Sequence, residues 1–177
     1  FPTELPDLIH GGAGNDLLEG GGGGDTLQGG TGDDWLGGDA GSDLLLGQDG
    51  ADTLEAFSGR DTLLGGAGDD VLIMPPWRAG SARLDGGAGW DRLDIGGVSS
   101  LGRHADLARG VVWEKREGLP DLRLARIVPD HATGLSSIEE LRGEHRADTL
   151  SGDARGNILD GGGSADLVRG RGGDDTI

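Results

Sequence analysis

An aspartate recurs at every ninth residue across the first half of the chain: Asp16, Asp25, Asp34, Asp43, Asp52, Asp61 and Asp70. Two places after each stands a leucine (Leu18, Leu27, Leu36, Leu45, Leu54, Leu63 and Leu72), and two places before each stands a glycine. Carboxylates at a fixed pitch, set in glycine-rich backbone whose carbonyls can crowd together, offer oxygen donors. The chain has no cysteine, and His10, His104, His131 and His145 form no H-E-x-x-H pair, so neither thiolate nor paired imidazole competes for that role. An all-oxygen donor set of adaptable geometry suits a hard cation. Ca²⁺ fits it before Mg²⁺, which demands tighter geometry and keeps its waters.

The elements that position these carboxylates are short. Seven nine-residue units run from Gly11 to Ile73 under the rule G-G-x-G-x-D-x-U-x, where U is a large aliphatic residue, and Gly11 to Glu19 and Gly29 to Gly37 satisfy it in full. A strict period of this kind means one small unit stacked repeatedly, each copy burying its apolar residue against its neighbours. The x-U-x triplet makes a brief strand with U inward and its neighbours outward. The glycines let the chain turn through positive φ between strands.

The repeats resemble the calcium-binding nonapeptides of the RTX (repeats-in-toxin) proteins. That resemblance implies an all-β fold, a parallel β-roll with two nonapeptides per coil and several Ca²⁺ ions held between successive coils. It also implies a donor set: carbonyls at the second and fourth places of a turn with its Asp, and carbonyls at the first and third places of the turn one coil later with its Asp. Carried over, Gly12, Gly14 and Asp16 share an ion with Gly29, Thr31 and Asp34, and Gly21, Gly23 and Asp25 share one with Gly38, Ala40 and Asp43. Further along, the implied ligands are Gly30 and Gly32 with Gly47, Asp49 and Asp52; Asp39 and Gly41 with Ala56, Ser58 and Asp61; and Gln48 and Gly50 with Gly65, Ala67 and Asp70.

After Ile73 the register breaks at Met74 to Asp85, where Pro75 and Pro76 cannot continue a sheet interior. One more unit follows at Gly86 to Asp94, adding Asp91 to the implied ligands. A second array starts at Gly143. Its sixth places hold Asp148, Asn157, Asp166 and Asp175, and the resemblance implies carbonyl donors at Gly161, Gly163, Gly170 and Gly172. It departs from the rule, with Arg146, Arg155 and Ser164 at fourth-place glycines and Asn157 at an aspartate, so its sites should be fewer or weaker. Between the arrays, Gly110 to Glu114 and Leu122 to Val128 read as strands, and Ser137 to Glu140 reads either as part of a β flank or as a capping box opening a helical turn. The expected division is a first roll over residues 1–94 with an excursion at 74–85, a capping connector over 95–142, and a second roll over 143–177 that stops inside a unit, as in a piece of a longer protein.

Composition narrows the function. A net charge of −17, 39 glycines and 3% aromatic residues approach the make-up of a disordered chain. Two carboxylates about 5 Å apart repel by roughly 3 kcal/mol at an effective dielectric of about 20, so metal binding and folding are expected as one event. The acidity argues against nucleic acid, no apolar run is long enough to span a membrane, and the amino end shows no leader. Gly20 to Gly24 has no strand, helix and distant acid around it, and Ser164 lies in no G-x-S-x-G, so no enzyme is expected. The RTX resemblance implies a secreted, extracellular bacterial protein exported by a type I system. The expected function is a structural module that folds on Ca²⁺ after secretion and supports the rest of a larger protein. One alternative is a partner- or carbohydrate-recognition module of an adhesin or alginate-modifying enzyme, meeting a surface glycan or cell surface through Trp35, Trp77, Trp90 and Trp113. Another is an accessory C-terminal part of a secreted protease, lipase or cytolysin. Outward-facing Leu44, Leu46 and Leu64 predict a covered face.

Overall fold

The computed structural model describes residues 4–74, 82–95, 103–106, 110–114, 122–127, 138–143 and 147–177. Among these residues all regular structure is β. Successive x-U-x triplets fall alternately into two sheets, because each glycine-rich turn reverses the chain. One sheet takes the three-residue strands Leu17–Glu19, Trp35–Gly37, Thr53–Glu55 and Val71–Ile73. The other takes Leu8–Ala13, Thr26–Thr31, Leu44–Asp49 and Thr62–Ala67, which run on into the next turn. Strands pair in parallel with the strand one coil on, so Leu18, Leu36, Leu54 and Leu72 stack in one file and Ile9, Leu27, Leu45 and Leu63 in the facing one. Leu27, Leu36, Leu45, Leu54, Leu63 and Leu72 are fully buried. Each contributes on the order of 1.5–3 kcal/mol by leaving water. The chain is a parallel β-roll.

The expected register break proves to be a lengthened unit. Thr62 pairs with Arg83 and Val71 with Arg92, a coil of 21 residues in place of 18, and Leu84 and Leu93 continue the two leucine files. Met74 to Asp85 is therefore a nonapeptide enlarged by three residues, with Met74 and Ala82 buried in the core. Pro75, Pro76 and Trp77 lie outside the described residues.

The connector enters the two sheets differently. In the ten-stranded sheet it inserts an antiparallel meander, Arg103–Asp106, Val111–Glu114 and Leu122–Ile127, between Ala82–Ala88 and Thr149–Ser151. The seven-stranded sheet runs directly from Arg92–Asp94 to Glu140–Arg142 and then to Ile158–Asp160, all parallel. Val111–Glu114 and Leu122–Ile127 are the strands that their sequences implied. Glu140 begins a strand, so the helical-turn alternative fails there, while Ser137 lies outside the described residues. Ala105, Val112, Ile138, Leu141 and Leu150 join the same core as the leucine files. Leu44, Leu46 and Leu64 are half-buried on the outer face, whereas Leu8 and Leu17 near the first coil are exposed.

Candidate metal sites

Because each acidic residue immediately precedes a strand, sheet pairing stacks the carboxylates in two columns. Beside the seven-stranded sheet the column is Asp16, Asp34, Asp52, Asp70, Asp91 and Glu139; beside the other it is Asp7, Asp25, Asp43 and Asp61. Every step repeats one hydrogen bond, in which a backbone N–H donates to the acid one coil later. The Asp16 N–H donates to Asp34 Oδ1 (2.8 Å), Asp34 to Asp52 (2.8 Å), Asp52 to Asp70 (2.9 Å), Asp70 to Asp91 (2.9 Å) and Asp91 to Glu139 Oε2 (3.0 Å). In the second column Asp7 donates to Asp25 (2.8 Å), Asp25 to Asp43 (2.8 Å) and Asp43 to Asp61 (3.0 Å).

The remaining oxygen is what gives the columns their chemistry. Oδ2 of Asp16, Asp25, Asp34, Asp43, Asp52, Asp61, Asp70 and Asp91 is buried and makes no hydrogen bond. A buried anionic oxygen without a donor is costly, and eight repeated at one pitch call for a cation. Backbone oxygens meet them there. A methyl group placed on Gly11 would lie 2.7 Å from both Asp16 Oδ2 and the Gly29 carbonyl oxygen, and one on Gly20 would lie 2.7 Å from Asp25 Oδ2 and 2.9 Å from the Gly38 oxygen. Gly47 stands likewise between Asp52 Oδ2 and the Gly65 oxygen, and Gly65 between Asp70 Oδ2 and the Gly86 oxygen. First-place glycine thus keeps open a cradle shared by a carboxylate and a carbonyl from the next coil. Among the described residues no three His, Cys, Asp or Glu converge on one point. The donor set is carboxylate plus carbonyl, which fits Ca²⁺ and not the nitrogen- and sulfur-rich sites of Zn²⁺.

Turn conformation depends on glycine at two places in particular. Gly12 and Gly14 have φ of 109° and 108°, and Gly30 and Gly32 have 121° and 116°, values that L side chains rarely adopt. Asp39 (62°) and Gln48 (85°) hold the second place at smaller positive angles.

The electrostatics agree. Burial pushes Asp43 up to about 6 and Asp70 and Asp91 up to about 7, against partial relief from the N–H each accepts, and the neighbouring acids of the column push the same way as burial. Asp52 and Asp61 are raised by burial too. Burial thus disfavours the charged form of each of these groups, and a bound cation offsets that cost.

A family model described as the RTX calcium-binding nonapeptide repeat (4 copies) matches residues 3–36, 37–72 and 145–177. The chain belongs to the RTX calcium-binding repeat family. No curated protein matches it. RTX nonapeptides bind Ca²⁺ ions, so the cofactor is calcium and the roll is a calcium-binding structural module.

Within this RTX roll the structure extends the set of column residues. Asp7 opens one column, and its signal was the D-x-U-x reading of Asp7 to His10, one unit upstream of the strict repeats. Glu139 ends the described run of acids in the other, in a Glu-x-Leu that repeats Asp-x-Leu with one more methylene. Conversely, the column of Asp61 meets Ala82 at its next position, where the Arg83 N–H bonds the Asp61 carbonyl (2.8 Å) and no carboxylate stands. Fifth-place residues form an outer ladder of their own: the Asp33 N–H donates to Asn15 (3.0 Å), Ala51 to Asp33 (3.0 Å) and Trp90 to Asp69 (2.8 Å).

The second array reproduces the pattern in part. Asp148 donates to Asp166 Oδ1 (2.9 Å) and Asn157 to Asp175 Oδ1 (3.0 Å), and a methyl on Gly143 would meet Asp148 Oδ2 at 2.5 Å and the Gly161 oxygen at 2.6 Å. The Gly170 oxygen stands 2.5 Å from a methyl on Gly152, beside Asn157. The turn from Gly152 to Asn157 is built differently. There the Asp153 N–H donates to Asn157 Oδ1 (2.9 Å) and the Arg155 N–H to Asp153 Oδ1 (2.8 Å). Arg146 lies outside the described residues.

Proposed function

We propose that this chain is a calcium-dependent folding scaffold within a larger secreted bacterial protein. The observation that carries the reading is the set of eight buried, unpartnered Oδ2 atoms repeated down two columns. Bound Ca²⁺ would supply the positive charge that turns this mutual repulsion into cross-linking of successive coils. The chain's own part is positional: Oδ1 fixes each carboxylate to the coil before it, first-place glycine leaves the cradle open, and the buried leucines set the pitch. The pairings proposed for individual ions are those carried over from the RTX rule, such as Gly12, Gly14 and Asp16 with Gly29, Thr31 and Asp34. The divisions 1–94, 95–142 and 143–177 are proposed as stages of one scaffold, since strands from all three share the seven-stranded sheet.

Extracellular modules bind Ca²⁺ with dissociation constants of roughly 10⁻⁴–10⁻³ M, so the chain would stay loose before export and fold outside. No helix among the described residues is long and apolar enough to cross a membrane. The experiment is a calcium titration of the full chain by circular dichroism. The expected result is a disordered spectrum in chelator, a cooperative gain of β structure as Ca²⁺ reaches the sub-millimolar to millimolar range, and little response to Mg²⁺. Identical spectra in chelator and in calcium would refute the reading.

A further inference from the structure

Glu139 differs from the aspartates stacked before it. Its Oε2 accepts the Asp91 N–H as the ladder requires, but its other oxygen, the counterpart of the bare Oδ2 atoms, meets a protein cation: Arg155 Nη2 lies 2.5 Å from Glu139 Oε1. The same guanidinium reaches Asp153, with Nε 3.8 Å from Oδ2. Both acids are shielded from solvent, the Glu139 side chain being 7% exposed and that of Asp153 0%.

Arg155 occupies the fourth place of its unit, where the repeat rule has glycine, and Asn157 occupies the sixth, where the rule has aspartate. The pair of column acids that would face a divalent ion at this step is thereby reduced to Glu139 alone. Turn geometry changes along with it. Neither Asp153 nor Arg155 has positive φ, whereas Gly162 (78°), Ser164 (120°), Arg171 (81°) and Gly173 (91°) keep positive φ at the second and fourth places of the next two turns. The turn therefore gives up the backbone conformation that aims carbonyls in the regular coils, and it places a monovalent side-chain cation against the acids.

We propose that Arg155 is a built-in substitute for calcium: its guanidinium closes the column step between Glu139 and Asn157, so in the folded roll this step holds no ion of its own and joins the second array to the first without one. This inference rests on the calcium-scaffold reading and assigns one step within it. A guanidinium suits the task because it stays charged at any relevant pH and its delocalised charge can stand beside two carboxylates together.

The test counts ions bound by the full chain, by native mass spectrometry and isothermal calorimetry in calcium, together with thermal melting. Restoring the repeat with Arg155→Gly and Asn157→Asp together should raise the calcium count by one. Arg155→Gln, which keeps length and removes charge, should leave the count unchanged and lower the melting temperature in calcium. Arg155→Lys should recover most of that loss. An unchanged count in the double variant, with its β spectrum intact, would overturn the proposal, as would Arg155→Gln melting like the parent chain. If the parent chain binds no calcium at all, the scaffold reading itself fails, a result distinct from either of these.

Discussion

Asp52 shows what one column residue does. Its Oδ1 takes the Asp34 N–H at 2.8 Å and its Oδ2 faces the Gly47 cradle, so acceptor and charge sit on separate oxygens of one side chain. Asp52→Asn keeps an acceptor and removes the charge. In chelator this variant should be at least as ordered as the parent, because repulsion along the column falls. In calcium it should need about tenfold more ion, since ligand charge tunes such sites; parallel dichroism titrations read both effects, and a variant less ordered in chelator would contradict the charge argument. Gly47→Ala tests the cradle instead. Its methyl would press on Asp52 Oδ2 and the Gly65 oxygen, so the calcium-loaded form should lose about 1–3 kcal/mol while every charge is retained.

At the scale of the element, a file of stacked turns concentrates like charge, and pH becomes a lever. In the fold Asp43 is raised to about 6 and Asp70 and Asp91 to about 7, whereas an unfolded Asp titrates near about 3.9. The folded state therefore binds more protons between those values, and the part of its calcium-free stability that these three groups contribute, fully present below about pH 4, is lost as pH rises through 6–7. Calcium and protons then compete for the same oxygens. The calcium midpoint should move to higher concentration as pH falls from 7.5 to 5.5, while residual β structure in chelator should increase over the same range. A midpoint independent of pH in buffered titrations would show that these carboxylates do not exchange protons for metal.

The molecule as a whole is joined asymmetrically. Ten strands, a meander among them, make one sheet, but in the other Leu93, Leu141 and Leu159 pass the core from the first array to the second with no extra strand between. Solenoids are stabilised by nearest-neighbour contacts, so this joint decides whether the arrays melt together. Leu141 is fully buried, and Leu141→Ala should cost about 2–5 kcal/mol. Calorimetry in saturating calcium should give one transition for the parent and two for this variant, while Leu54→Ala, inside the first array, should lower a single transition. If both substitutions lower one undivided transition alike, the joint has no special role.

The sequence alone determined the stacking unit, the inward leucines, the column aspartates from Asp16 to Asp70 and the preference for calcium. A strict nine-residue period calls for stacked copies of one unit with its leucine inward, and the two-unit coil that sets the acids in two columns is what the RTX resemblance implies. Tertiary structure decided the rest wherever the period lapses. The twelve residues from Met74 to Asp85 became a lengthened unit, because Thr62 pairs with Arg83 and Leu63 with Leu84, so both leucine files continue past the surplus. Glu139 entered a column whose preceding acid lies 48 residues away, and Arg155 met it across a coil. Such partners are set by which strands pair across the connector, with Arg92–Asp94 beside Glu140–Arg142 and that strand beside Ile158–Asp160, and no spacing within the chain encodes that choice.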